Sequence, residues 1–580
     1  METMVFISVI WYNYLNTQTG RILKITGVTI VKRLRNILLS VVPLIILFLI
    51  ADYVLLVPLN IRFEEGFNLF FGLLIVAIIA YFYEDVRYIF QDMAKGHPIH
   101  FPGKSVKVVI ILMFVVYIGY QVASSPIFWS KQYRDLIGTV ETKNFSEEIP
   151  TVDLSKIPTV DESYARRLGE KKLGEDVGLG SQVYVGDYTL ISMNDELFWV
   201  APLEHIDIIK WFTNREGTPG YIMVSATDAQ DVRLVQQDAE GNPIHLKYLP
   251  SAYFGDDIKR KVYFEGNMFE GLTDYSFELD DSGRPYWVVT TYTKKVGITG
   301  GADATGVVTV DAQTGETNKY SVEDAPKWID RIQPQSFVLD QINDYGWYVN
   351  GFFNTLFAKK GIIQTTPGNN YMYVDGEWYF YTGMTSAGSD ESTVGFTLTN
   401  TRTKETTFYK IAGATEVAAM RSAEGKVQHL GYSSSFPLLL NIENEPTYFM
   451  TLKDNQGLVK QYAFVNVKDY SLVGTGETLS EARANYTKLV FGKGDFSNLS
   501  SGEKKSIKAS VERLGMSLTD GNTYYTLILE GQPNLLLMGA STISPELAIT
   551  REGDVVEVEY IDANNQTKTI VSFDNLNYNQ

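Results

Sequence analysis

Ile37–Leu59 reads ILLSVVPLIILFLIADYVLLVPL, Phe67–Tyr83 reads FNLFFGLLIVAIIAYFY and Val108–Phe128 reads VVIILMFVVYIGYQVASSPIF. These three stretches decide the fold, because the 450 residues from 131 to 580 contain nothing like them. A helix needs roughly 20 predominantly apolar residues to cross the hydrocarbon core, with about 17 as the lower limit. All three stretches meet that length, the second only just. The expected fold class is therefore α + β: a three-helix N-terminal membrane anchor, then a mainly β extracytoplasmic region of tandem hairpin-and-helix modules, then a small C-terminal β-barrel.

Charge orients the expected anchor. Arg21, Lys24, Lys32, Arg33 and Arg35 precede the first stretch, and Arg87, Lys95, Lys104 and Lys107 lie between the second and third. Between the first and second there is only Arg62, beside Glu64 and Glu65. Lys and Arg mark the cytoplasmic side. The expected location is thus the cell membrane, multi-pass, with the N-terminus cytoplasmic and everything after residue 128 extracellular. Trp129 is placed as an interfacial anchor. Val5–Trp11 (VFISVIW) is too short to span and lacks the order of a signal peptide. It is read either as interfacial or as the product of an upstream start. Asp52 is an ionisable group inside an apolar stretch, a functional candidate by default. Its place near the outer end, where water reaches, argues against ion translocation.

Residues 131–580 carry 40 Lys+Arg and 61 Asp+Glu, a net of −21. That balance argues against nucleic acid and against an anionic membrane surface as partners of this part, and fits solubility and colloidal repulsion. The chain has no cysteine, which excludes disulfides, thiolate metal sites and cysteine nucleophiles.

The expected domains are 1–130 (N-terminus and helices 37–59, 67–83 and 108–128), a connector 131–180, tandem modules over 181–490, and a barrel over 497–580. Four short aromatic strands open the modules: Glu196-Leu-Phe-Trp-Val200, Arg284-Pro-Tyr-Trp-Val288, Glu377-Trp-Tyr-Phe-Tyr381 and Pro446-Thr-Tyr-Phe-Met450. A second alternating strand follows each, at Gly220–Val224, Gly306–Val310, Gly395–Leu398 and Ala463–Val467. Helix-like runs follow at Glu323–Ile332 and Ser480–Leu489. Similar units in a fixed order are the mark of tandem modules. Trp199, Trp287, Trp378 and Phe449 are expected at equivalent, largely buried positions.

In the second unit, Tyr286-Trp-Val-Val-Thr-Thr and then Val307-Val-Thr-Val-Asp-Ala-Gln-Thr-Gly-Glu316 resemble the hairpin of a PepSY domain. The match covers about 35 residues; the first and third units lack the Thr-Gly-Glu, and in the fourth, Thr475-Gly-Glu477 falls too far past its strand. The resemblance implies an extracytoplasmic, non-catalytic module, in some families one that restrains peptidases. Ile507–Leu514, Thr523–Leu529, Asn534–Met538, Asp554–Tyr560 and Thr567–Ser572 are five strand candidates that resemble a small OB-like barrel. The whole pattern is similar to Gram-positive-type bacterial membrane proteins with PepSY-like modules.

No stretch carries recognisable chemistry. The histidines are His97, His100, His205, His245 and His429, and only His97-Pro-Ile-His100 has a spacing that suits a metal, without an acid or thiol beside it. Gly-x-Ser-x-Gly, His-Glu-x-x-His and a phosphate-binding Gly loop with Lys do not occur. Gly297–Gly306 reads as a hairpin loop, and Asp280–Gly283 and Asp520–Asn522 read as turns rather than calcium loops. No catalytic, cofactor-binding or metal residue is named and no cofactor is expected. The function expected is that of a non-enzymatic, membrane-anchored structural or interaction protein that self-assembles. The alternative is a regulator or sensor that binds an extracellular hydrolase, a peptidase or an envelope ligand. The expected partners are the lipid bilayer, further copies of the chain and an envelope protein.

Overall fold

The computed structural model of the chain describes residues 43–81, 104–145, 149–150, 156–388, 392–492, 503–519, 522–533, 535–541, 543–562 and 567–578. Four antiparallel meanders follow one another in the sequence. The first runs Thr189–Met193, Glu196–His205, Tyr221–Ser225 and Val232–Val235. The second runs Gly271–Leu279, Pro285–Val296, Gly300–Asp311 and Thr317–Ser321. The third runs Asn370–Val374, Glu377–Ser386, Gly395–Asn400 and Thr406–Tyr409, and Val140–Lys143 adds to its edge in parallel. The fourth runs Leu438–Ile442, Glu445–Lys453, Val459–Asn466 and Val473–Gly476. Each aromatic strand is the second of its meander.

The meanders pack face to face in two pairs. Phe198, Val200 and Met223 of the first sheet meet Phe277, Trp287 and Val289 of the second, with Ile258 and Val262 of the helix Ile258–Val262 in the same core. Phe396 and Leu398 of the third meet Tyr448 and Met450 of the fourth, with Ala419 and Ala423 of the helix Glu416–Lys426. The outer faces are covered too. Helix Glu162–Gly174 covers the first sheet, residues 325–332 the second, helix Gln335–Trp347 the third and helix Leu479–Gly492 the fourth. Two covered faces explain why these strands read as near-continuous apolar runs rather than as clean alternations. The architecture thus repeats as a double unit: outer helix, sheet, inner helix, sheet, outer cover.

The four aromatic positions are not equivalent. Trp199 and Phe449 face the outer helices, whereas Trp287 faces the core between the first and second sheets. A one-residue offset turns a side chain to the other face, and Trp199 is the fourth residue of its strand whereas Trp287 is the third of its own. Trp287, Trp378 and Phe449 are buried, and Trp199 is only half-buried. Residues 323–332 form turns, not a helix. Pro326 removes a backbone donor there and breaks the helical ladder.

The C-terminal strands Glu503–Thr519, Asn522–Leu529, Leu536–Ala540, Thr567–Asn575 and Val555–Asp562 pair in that order into a closed barrel. The long first strand closes it by pairing with both the second and the Val555–Asp562 strand, and Leu536–Ala540 runs parallel to Thr567–Asn575. Leu527, Leu529, Val556, Val558 and Ile570 fill the interior.

The expected α + β fold with a three-helix membrane anchor is corrected in its anchor. Among the described residues, one helix is long and apolar enough to cross a membrane, the one running from Val108. Among the described residues, the first apolar stretch is helical over Pro43–Leu55, and its residues 37–42 lie outside them. Leu56 takes a positive φ of 51° and Pro58 follows, so that helix ends at Leu55, inside its apolar stretch. The second stretch lies in helix Glu64–Tyr81 as far as residue 81, behind a first turn that holds Glu64 and Glu65, and its residues 82–83 lie outside the described residues. The multi-pass location, with a cytoplasmic N-terminus and an extracellular remainder, is corrected with it, since one candidate helix makes no multi-pass topology. The basic segments used to orient the chain, and Val5–Trp11, lie outside the described residues apart from Lys104 and Lys107.

Phe277 is 1% exposed and sits between the rings of Tyr221 (centroids 5.9 Å) and Trp287 (5.6 Å). Phe277→Ala should lower unfolding stability by about 3–5 kcal/mol, read by denaturant titration. Met516→Ser, at an exposed barrel position, should stay within about 0.5 kcal/mol.

Candidate functional site

Two places join the parts of the chain, and both were missed as sites when the sequence was read alone. At the first, the apolar helices meet the second sheet. Helix Lys104–Val122 ends just before Ser124, whose Oγ accepts from the backbone N–H of Ile298 (2.9 Å) and Thr299 (2.7 Å) and lies 3.1 Å from Thr299 Oγ1. Tyr133 Oη donates to the Ser124 carbonyl (2.8 Å), and Trp129 Nε1 donates to the Ala123 carbonyl (2.7 Å). The Gly297–Gly306 loop is the tip of the hairpin Pro285–Val296/Gly300–Asp311. Its glycines permit the contact: Gly297 has φ of 58°, and a Cβ there would lie 2.8 Å from the Ala123 carbonyl oxygen. On the other side of the junction, Tyr263 Oη donates to Asp52 Oδ1 (2.5 Å) and lies 2.7 Å from the Val57 carbonyl oxygen. Burial first, and Asp52 second, push the Tyr263 phenol up. Asp52, 6% exposed, is thus a structural acceptor that ties the first apolar helix to residues 263–269. Arg62 Nη1 donates to the Lys294 carbonyl (2.9 Å), and Phe63 packs edge-on against Tyr292 at 5.4 Å.

The second place is where three sheets converge. The Asp330 carboxylate accepts from the backbone N–H (2.6 Å) and the hydroxyl (2.7 Å) of Ser192 in the first sheet. The Asp330 carbonyl accepts from Thr401 Oγ1 (2.6 Å) at the end of the third sheet. The Thr401 carbonyl accepts from the N–H groups of Ile332 (2.9 Å) and Gln333 (2.8 Å), and Thr290 Oγ1 of the second sheet donates to the Ile332 carbonyl (3.0 Å). Arg402 donates to the carbonyls of Ala325 (2.9 Å), Pro326 (2.8 Å) and Ile329. Arg331 donates to the Leu190 carbonyl (3.1 Å) and lies over the Tyr371 ring at 5.0 Å. Glu278 is 1% exposed beside this strap, and its Oε1 accepts from Ser276 Oγ at 2.7 Å. Burial, and then the charge of Asp330, push the Glu278 carboxyl up to about 7. Burial pushes Asp330 up to about 6 against the pull of its Ser192 hydrogen bonds.

A cleft of about 540 Å³ opens between helix Glu162–Gly174 and the strand Val183–Val185, with Arg166, Glu170, Tyr184, Asp187 and Glu204 on its walls. Glu204 Oε2 accepts from Ser251 N–H (3.0 Å) and from Tyr184 Oη (3.4 Å). Burial pushes the Glu204 carboxyl up, and burial and then Glu204 push Tyr184 up to about 12. The cleft therefore offers a carboxyl, a phenol and a guanidinium as recognition groups.

The residues singled out in the sequence do not come together. His205 is buried at the end of its strand with its pKa lowered by burial, against the pull of Asp256. His245 is half-buried near Gln313, and His429 is exposed after the helix Glu416–Lys426. His97 and His100 lie outside the described residues. Asp280 Oδ1 accepts from the N–H groups of Ser282 (2.9 Å) and Arg284 (3.0 Å), closing a turn. Of Asp520–Asn522, the first two residues lie outside the described residues. Among the described residues, no group of three or more His, Asp or Glu is placed to hold a metal ion.

No protein-family model matches the chain, and no curated protein matches it. Solved structures similar to it include a GH32 beta-fructofuranosidase from Bombyx mori, at 9% identity and a TM-score of 0.17 over 71% of this chain and 70% of that one. A glycosyl hydrolase from Bacteroides ovatus has 11% identity and a TM-score of 0.16 over 67% and 90%. A levansucrase mutant from B. megaterium has 9% identity and a TM-score of 0.16 over 74% and 95%. Likenesses at these scores carry no argument about fold or activity.

Ser124→Ala removes the acceptor of the hairpin tip and leaves two N–H groups without it. The cost should be about 1–3 kcal/mol, seen as faster protease cleavage between residues 122 and 126. The buried carboxyl sets a pH dependence. The folded pKa of Glu278, about 7, lies above its ordinary 4.5. Its contribution is therefore fully present below pH 4.5 and is lost as pH rises to about 7. Glu278→Gln should remove that loss, raising stability at pH 8 by at most about 3 kcal/mol and leaving pH 4.5 unchanged. Thermal unfolding of both proteins at the two pH values checks it.

Proposed function

We propose that the chain is a non-enzymatic, membrane-anchored interaction protein. The apolar helix Lys104–Val122 holds it to the bilayer, and its paired sheets associate with further copies. One observation carries the reading: Ser124, at the end of that helix, is fastened to the tip of the second sheet by three polar contacts. The helix is therefore mounted on the sheet array and not strung to it by a loose linker, as suits a part that sets the array's position on a surface. Most of the helix's described apolar side chains, among them Val108, Ile111 and Phe114, are exposed. In water such a surface demands a cover.

Self-association is supported by the edges of the meanders. Val232–Val235 and Thr317–Ser321 each end their sheet, and an edge strand presents unpaired backbone groups that must be protected or matched. A copy of the same chain is the default match. The PepSY-like hairpin and the barrel's five-strand order agree with an interaction module. The cleft at Arg166, Tyr184 and Glu204 favours the second reading, a regulator or sensor for an envelope ligand or hydrolase.

In mild detergent, the particle mass should exceed that of one 65.3 kDa chain and rise with concentration. The net charge of −18 opposes association. Raising ionic strength from about 0.01 M to about 0.15 M shortens the screening length from about 30 Å to about 8 Å and should strengthen it. A monomer over a wide concentration range at near-physiological salt moves the conclusion to the regulator.

A further inference from the structure

We infer that the chain carries an aromatic collar that lies in the interfacial layer of the bilayer around the emerging apolar helices. The inference rests on the membrane-anchored reading and adds a second contact surface to it. Phe128, Phe264, Phe269, Phe353, Leu356 and Phe357 are exposed by 69%, 42%, 58%, 64%, 57% and 80%. They come from three separate parts of the sequence, yet each is held at the end of an apolar helix. Phe128 is in the helix Pro126–Asp135, which begins four residues after Val122. The short helix Phe352–Leu356 lies against Pro126–Asp135 and turns Phe353 and Leu356 out to solvent, with Phe357 just beyond it.

Phe264 stacks on Tyr53 of the helix Pro43–Leu55 with centroids 5.9 Å apart. The Phe269 carbonyl accepts from Asn60 Nδ2 at 3.1 Å, in the turn that leads to Glu64–Tyr81. The Asp52–Tyr263 hydrogen bond fixes that segment against the helix.

An exposed apolar patch of this kind marks an interaction surface. Its continuity with the bare apolar surface of helix Lys104–Val122 selects the occupant. A bilayer that covers the helix brings its headgroup layer to the helix end, where aromatic rings partition well. Lys131, Lys359 and Lys360 are exposed near Phe128 and Phe357, where lipid phosphates would meet them, while Glu265 beside Phe264 is paired with Lys261.

The chain has no cysteine, so single cysteines report one position each. Val115→Cys, Phe269→Cys, Phe357→Cys and Val177→Cys, with Leu356→Cys as a second probe of the 352–357 segment, are labelled with an environment-sensitive fluorophore. The full chain is reconstituted into phosphatidylcholine–phosphatidylglycerol vesicles. Labels at 269, 356 and 357 should shift to the blue and be quenched several-fold more by headgroup-level nitroxide lipid than by mid-chain nitroxide. The label at 115 should show the reverse preference. The label at 177, an 85% exposed position between the helix Glu162–Gly174 and the first sheet, should respond to neither. A lipid-shielded 115 with water-exposed 269, 356 and 357 overturns the collar and leaves the anchor standing. A water-exposed 115 overturns the anchor itself. Blue shifts at 269, 356 and 357 without nitroxide quenching assign the patch to another protein copy and also overturn the collar.

Discussion

Asp330 accepts two hydrogen bonds from one residue of the first sheet with its side chain and one from the third sheet with its carbonyl. Two residues later, Ile332 is bonded to the second and third sheets. A segment of four residues thus ties three meanders that have no strand pairing with one another. Charge-assisted bonds of this kind are shorter and stronger than neutral ones. Glu278 is buried beside two half-buried cations, Arg331 and Arg402, and Arg402 donates to backbone carbonyls that the turns of 325–332 leave free. Truncating one member would strand the others, which is why such a cluster acts as a unit.

The sheets were legible in the sequence because each is built on an aromatic strand whose neighbours repeat its pattern. The Val-Asp-x-x-Thr-Gly-Glu segment at 310–316 was legible for the same local reason. The Asp311 carboxylate accepts from the N–H groups of Gln313 and Thr314, both at 2.8 Å, and Gly315 takes a φ of 75°. What was not legible was the orientation of those strands. Trp199 is the fourth residue of its strand and Trp287 the third of its own, and they face opposite ways. When both faces of a sheet are covered, hydrophobicity along the strand no longer distinguishes them, and where the preceding turn ends decides. The Asp330 strap was hidden for another reason. Its members are a Ser, an Asp, a Thr and an Arg separated by up to 210 residues, and no local spacing announces them.

The apolar stretches were misread by counting letters. Helix length depends on where the backbone stops as well as on how far the apolar run extends. Leu56 in the left-handed region and Pro58 end the first helix within its own apolar run. Glu64 and Glu65, favourable at a helix N-terminus through the macrodipole, place the start of the second helix at the polar turn. The glycines of 297–306 held the converse signal. They read as a plain hairpin loop, yet a Cβ at Gly300 would fall 1.9 Å from Tyr133 Oη. Glycine at that density marks close approach by another part of the chain.

Charge and shape pull against each other in this molecule. The chain is acidic overall, and residues 131–580 hold 61 Asp+Glu against 40 Lys+Arg. A uniformly acidic surface would be held off an anionic bilayer. The junction side is mixed, with Lys131, Lys359 and Lys360 exposed near Phe128 and Phe357 and with Glu64, Glu65 and Glu265 exposed near Phe63 and Phe264. Aromatic rings need only the interfacial layer, and three cations beside them offset part of the repulsion that the rest of the array carries. In the proposed assembly the same field would oppose contact between identical arrays at low salt, and it would be screened within about 8 Å at physiological ionic strength. The Ser124 and Asp52–Tyr263 contacts join the apolar helices to the sheet array, so the two are coupled through named hydrogen bonds and not through a loose linker.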